Sequence, residues 1–283
     1  VPNCKMVNGR PEPMKLELAK GVTLELLGCP AGVYKKGYGT DEYPFQEVKI
    51  TRSFWLGKYK VTRGQWQAMG MPFSKGDDGQ VKYAGKELDQ CAVCELRTRV
   101  EQFLCGLNEK FRGSIPQGYV FRLASDAEWE YAHKAGDYVM SNPAMSYGGD
   151  RYEDYRKPKM WYRERGADRR LTNSSAALFR NPLPVGMGEA NAWGFYDMHG
   201  NASEWCLDYM TAYPVRYGEN GPDACPCDHS YITGSARVIR GGGFVQSGTS
   251  ARSGAYSDWS QPSLTSDHPT QVGCRLCLPA VFH

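Results

Sequence analysis

Ten cysteines and five histidines are spread along this chain of 283 residues, and their spacing decides which chemistry is open to them. Cys91-x-x-Cys94 and Cys274-x-x-Cys277 have the gap that zinc ribbons use, and Cys225-Pro-Cys227 adds a third close pair. A compact ribbon separates its pairs by about 15–20 residues, whereas about 180 lie between these two. Buried thiols, with a disulfide or two, are therefore the expected use of the cysteines. Among His133, His199, His229, His268 and His283 no two stand at H-x-x-x-H spacing. Neither a Gly-x-Ser-x-Gly elbow nor a Gly-x-x-x-x-Gly-Lys phosphate loop occurs. Glu128 with Glu130, and Asp197 with Glu204, are carboxylate pairs of the kind used for acid–base work. The first pair lies at a helix start, where carboxylates offset the dipole, so no catalytic constellation stands out.

The segment from Gln246 to Gln271 differs from the rest. It reads QSGTSARSGAYSDWSQPSLTSDHPTQ, with Ser at seven of its 26 positions, no Lys, Glu, Met or Ile, and Arg252, Asp258 and Asp267 as its charges. Ordinary solvated loops carry more Lys and Glu. Ser, Gly, Tyr, Asp and Trp instead make up antibody-like paratopes, where aromatics give rigid contact area and small polar groups adapt their hydrogen bonds. The residues expected to meet a ligand are Gln246, Ser247, Tyr256, Ser257, Asp258, Trp259, Thr265, Ser266, Asp267 and His268, with Tyr256 and Trp259 as the aromatic hot spot. Arg252, Ser253 and Pro262 are expected to be framework.

The elements that must position this segment are short. Val22–Leu27 alternates and stops at Gly28; Gln46–Ile50 alternates and leads into Phe54–Tyr59. Thr62-Arg-Gly-Gln65 and Ser125-Asp-Ala-Glu128 are capping boxes that start helices, the second ending near Gly136. Leu96, Val100, Phe103, Leu104 and Leu107 share one face of a longer helix predicted from about Cys94 to Phe111. Turn residues crowd 148–184 and 218–234, and Arg237–Arg240 and Val272–Leu276 read as late strands. Two helices early and many short strands describe an α+β domain. A net charge of +3 without any basic run excludes nucleic acid as an electrostatic partner. Nothing approaches the ~18 apolar residues of a membrane helix.

Five blocks carry a family resemblance: Phe54–Thr62, Arg122–Ala132, Asn191–Cys206, Arg237–Gly242 and Gly273–Leu276. Together they resemble the formylglycine-generating-enzyme-like (sulfatase-modifying factor) domain, a variant of the C-type lectin fold. The resemblance implies an N-terminal extension over 1–19 and one domain over 20–283, with short sheets, two main helices and long structured loops, and a variable region at about 243–271. In the oxidase members two cysteines follow the Arg-Gly-Gly motif and bind copper as thiolates. Their positions fall here on Gln246 and Ala251, neither of which supplies a thiolate, so the expectation is that the protein is not an enzyme. The family also implies a structural calcium ion at Asp197, Gly200, Ala202 and Glu204, hard oxygen donors on a loop. Glu204 accepting backbone N–H bonds in a turn is the alternative reading. No other cofactor is expected.

A segment of this length between Arg-Gly-Gly and Gly-x-Arg-Leu is also similar to the variable region of diversity-generating retroelement proteins. There, adenine mutagenesis of Asn codons yields Ser, Gly, Tyr, Asp, Thr, Ala or His but never Lys, Glu or Met. The composition fits that origin, apart from Gln246, Gln261, Gln271 and Trp259. The resemblance implies a monomeric lipoprotein at the cell surface or outer membrane, held by a lipid-anchored N-terminus that is absent from this sequence, with a surface protein or glycan as ligand. The alternatives are a formylglycine-generating-type copper oxidase and a fixed carbohydrate-binding module.

Overall fold

In a computed structural model of the chain, residues 5–37, 45–74, 86–136, 182–188, 190–209, 236–243, 259–260 and 272–279 are described. The chain begins with a run of antiparallel strands: β1 (Met6–Val7), β2 (Arg10–Pro11), β3 (Met14–Ala19), β4 (Val22–Cys29), β5 (Gly32–Lys36), β6 (Gln46–Ile50) and β7 (Phe54–Gly57). Helices α1 (Arg63–Ala68), α2 (Lys86–Asp89) and α3 (Arg97–Lys110) follow, then β8 (Arg122–Leu123) and α4 (Asp126–His133). The remaining strands are β9 (Ser203–Tyr209), β10 (Ala236–Arg240), β11 (Trp259–Ser260), β12 (Val272–Gly273) and β13 (Leu276–Pro279).

Two sheets organise the domain. One has the order β3-β4-β7-β13-β8 and the other β11-β10-β9-β12. Because strand side chains alternate between faces, β7 sends Trp55 into one core and Phe54 and Leu56 into another, and β13 divides Leu276 and Leu278 from Cys277 in the same way. The first core is closed by α1 and α3, with Trp66 stacked on Phe103 at 4.9 Å between ring centroids. The second is closed by α4 through Ala127, Trp129 and Tyr131. Both faces of β7 and β13 are thus dry, which is why these strands read as continuous apolar runs.

Both predicted capping boxes are present. Thr62 Oγ1 accepts from Gln65 N and Ser125 Oγ from Glu128 N, while each N3 side chain reaches back to its cap's N–H. Helix α3 starts at Arg97 rather than near Cys94, because Leu96 is still extended (φ −60°, ψ 142°), and Val93 and Glu95 before it donate their N–H groups to Val61 O and Val272 O. Two further expectations change. The boundary at residue 20 does not hold, since β3 pairs along β4 and buries Leu16 and Leu18. The single late strand Val272–Leu276 is two, because the chain leaves one sheet at Gly273 and joins the other at Leu276. Arg275 sits at that crossing.

Replacing Ser125 by Ala should lower stability by about 1 kcal/mol. Trp66→Ala, which empties a fully buried site, should cost about 3–5 kcal/mol. Urea denaturation at 25 °C with tryptophan fluorescence separates the two.

Candidate functional site

The four-stranded sheet places the ends of residues 244–271 on either side of one strand, β9. In register, Arg240 of β10 lies opposite Glu204 of β9 from one side, and Gly273 of β12 lies opposite Glu204 from the other. Strands are spaced about 4.8 Å apart, so the two ends of the segment are held about 10 Å from each other across β9. Gly241 and Gly242 take positive φ (84° and 70°) as the chain leaves β10. A Cβ on Gly241 would sit 3.2 Å from Met198 O and 3.3 Å from Trp129, so a tight fit adds to the positive φ in favouring glycine at this turn.

Each end is fixed by a buried arginine. Arg240 binds Asp126 Oδ1 through Nε at 2.5 Å and Glu130 Oε2 through Nη2, lying 5.5 Å over the Trp129 ring. Arg275 donates to Glu204, to Gly57 O and Lys58 O (both 2.9 Å), and to Tyr196 O (2.7 Å). Both arginines are 1% exposed. Their carboxylates are themselves crowded with donors. Asp126 also binds Lys36 at 2.6 Å, and Glu130 binds Lys134 and the Gly37 N–H. Glu204 takes Lys60 and the Trp129 indole N–H at 2.7 Å. Arg122 holds Glu128 bidentately at 2.7 and 2.8 Å.

Burial alone would push these carboxyls up, but the facing cations reverse it. Glu204 is held at about 2 by Arg275 and Lys60, and Glu128 and Glu130 are held below the ordinary range by Arg122 and by Lys134 with Arg240. Asp208 behaves oppositely: burial, reinforced by Asp126, pushes it up to about 6. Glu128, Glu130 and Glu204, read from the sequence as dipole partners and acid–base candidates, are thus ion-pair acceptors. Arg122 stands six residues before Glu128, but the arginine partners of Glu130 and Glu204 lie 110 and 71 positions along the chain, where no local pattern shows them.

Burial disfavours the thiolate form at four of the described cysteines. Cys29, Cys206, Cys274 and Cys277 are buried, and burial pushes each thiol up. His133 and His199, which no spacing rule connects, meet edge-to-face at 4.5 Å beside Trp129. Burial and the His199 ring drive His133 well below its usual pKa. Among the described residues no three His, Cys, Asp or Glu side chains converge as metal ligands.

Asp197, Gly200 and Ala202 lie on the loop entering β9, and Glu204 follows within the strand. Gly200 N–H donates to Gly241 O at 2.7 Å, and Asp197 Oδ2 accepts from Gly186 N–H at 2.7 Å. They do not fit a calcium ion, because Lys60 and Arg275 already pair with Glu204 and both of its oxygens are occupied. The turn alternative changes as well: Glu204 accepts from side chains rather than from backbone N–H groups. Of the expected ligand-contacting residues, Trp259 is described as part of β11, paired to Arg237 at the sheet edge, and not as a loop residue. Gln246, Ser247, Tyr256, Ser257, Asp258, Thr265, Ser266, Asp267 and His268 lie outside the described residues, as does Ala251.

Comparison with known proteins follows the same lines. Residues 17–278 match the sulfatase-modifying factor enzyme 1-like domain. The chain is 27% identical over 213 residues to the chaperone protein LppX of Paenibacillus barcinonensis, covering 66% of this chain and 72% of that protein. It is 30% identical over 125 residues to the formylglycine-generating enzyme of Streptomyces coelicolor, a stretch covering 44% of this chain and 36% of the enzyme. The solved structure of Treponema denticola variable protein 1 superposes with a TM-score of 0.71 at 20% identity, covering 94% of this chain and 99% of that one. The fold is therefore the α+β, C-type lectin-like fold of the formylglycine-generating type.

Glu204→Gln should remove about 3–5 kcal/mol at pH 7, since it leaves two buried cations short of a partner. With a folded pKa near 2 against an ordinary 4.5, the Glu204 contribution is complete above about pH 5 and is lost as pH falls toward 2. Urea midpoints at pH 7, 5 and 3 should fall in the wild type, and fall less in the variant.

Proposed function

The chain belongs to the sulfatase-modifying factor enzyme 1-like family, and on that premise we propose that it is a ligand-binding display protein whose segment 243–271 carries the specificity. One observation carries this reading: both ends of the segment are locked to Glu204 of β9, with Arg240 and Arg275 fully paired beneath them. A segment closed at both ends by the core can change its exposed side chains at little cost, because surface substitutions shift stability by about 0.5 kcal/mol or less. Its Ser-, Gly- and Tyr-rich composition is suited to contact rather than to packing. The shared fold of Treponema denticola variable protein 1 agrees with it.

The ligand is a surface protein or a glycan met by Tyr256, Trp259 and the polar residues around them. Diversification of the gene segment by a retroelement supplies the variation. The protein acts as a monomer at the cell surface, attached through a lipid-bearing N-terminus, and nucleic acid is not its partner.

The rival reading is a copper oxidase, favoured by the 30% identity to a formylglycine-generating enzyme. It requires two thiolates after Arg240-Gly-Gly, where Gln246 and Ala251 stand, and the described thiols nearest in sequence, Cys206 and Cys274, are buried and held protonated.

Sequencing this gene across sister strains should find substitutions concentrated at positions 246–268, enriched in Ser, Gly, Tyr, Asp, Thr, Ala and His. Variation there no greater than in the rest of the chain contradicts the proposal. Stoichiometric copper binding with oxygen consumption on a thiol substrate would establish the oxidase instead.

A further inference from the structure

The loop that the family resemblance assigns to calcium already contains a cation of the protein's own. Lys60 lies just after β7, and its backbone is fixed by its neighbour: Val61 N–H donates to Cys274 O, and Val61 O accepts from Val93 N–H. The side chain is fully buried and its ammonium binds Glu204 Oε1. It also acts on Asp197, which is 5% exposed and whose Oδ1 has no hydrogen-bond partner among the described residues. The Nζ atom lies 3.9 Å from where a Cβ on Gly241 would stand, at the point where the segment 244–271 departs.

Charge arithmetic shows what this cation does. With Asp197 ionised, it and Glu204 place two negative charges in a buried site, against the two positive charges of Lys60 and Arg275 that bind Glu204. A divalent ion added to that set would carry the cluster from neutral to doubly positive in a place that water does not reach, at a steep desolvation cost. Removing the Lys60 charge reverses the position. Two buried carboxylates would then face one arginine, with Asp197 Oδ1 still lacking a donor and the Gly200 and Ala202 backbone carried on the same loop. That is a set of hard oxygen donors with net negative charge, the requirement of a calcium site.

The geometry points to Lys60 as the resident cation of the Asp197–Glu204 loop: its ammonium replaces a divalent ion, makes the fold metal-independent, and masks a latent calcium site.

The test is thermal unfolding of the whole chain in EDTA and in excess CaCl2, with bound metal measured after dialysis, for the wild type, Lys60→Ala and Lys60→Ala/Asp197→Asn. The wild type should retain no calcium and melt at the same temperature in both buffers. Lys60→Ala should be destabilised in EDTA, retain one calcium ion per chain and recover by about 5–10 °C at calcium about 100-fold above its dissociation constant. The Asp197→Asn addition should abolish both. If Lys60→Ala cannot be obtained folded, refolding it with and without CaCl2 gives the same readout as soluble yield. A wild-type chain that binds calcium and loses stability in EDTA overturns the inference, and so does a Lys60→Ala chain that binds no more calcium than the wild type.

Discussion

The structure depends on one constraint: buried carboxylates must be matched by cations brought from distant parts of the chain. Asp126, Glu130 and Glu204 are 5% exposed or less, and an unpaired charge in such a place costs several kcal/mol. Lys36 comes from β5, Lys60 from the end of β7, Lys134 from the end of α4, Arg240 from β10 and Arg275 from the crossing between sheets. The fold can be satisfied only if all of these arrive together. That requirement supplies specificity rather than raw stability, because well-packed apolar groups stabilise a core at least as well as ion pairs do.

It also explains how the long segment 244–271 can be attached without loosening the domain. Arg240 and Arg275 bracket residues 244–271 and are tied to different carboxylates, while β10 and β12 flank the same strand β9. The segment's two ends are therefore held from below, by the core, and within it β11 pairs with β10. Extra loop length costs only about 0.6 kcal/mol per doubling once the ends are held. The residues most exposed to change are thus separated from those on which folding depends.

Much of the scaffold was legible in the sequence because its signals are local. The capping boxes at Thr62 and Ser125, the apolar face of α3 and the alternation of Gln46–Ile50 need only a few neighbouring residues to be read. The anchoring network was not, because its partners are 71 positions apart for Glu204 and Arg275, and 110 for Glu130 and Arg240. Glu130 looked like a helix-dipole residue for the same reason. Lys60, in a motif read only as scaffold, gave no sign that its ammonium would reach Glu204. The division of Val272–Leu276 into two strands was hidden too, since a run of apolar residues does not reveal which sheet each half joins.

Replacing residues 246–268 by a Gly/Ser sequence of equal length, and comparing urea denaturation with the wild type, most directly tests whether the segment is borne by its anchors. The account predicts a midpoint shift worth less than about 1 kcal/mol, with unchanged cooperativity, because the buried ion pairs remain intact. A loss of about 3–5 kcal/mol, the size expected for breaking a buried ion pair, would show that the segment is part of the core and would contradict the account.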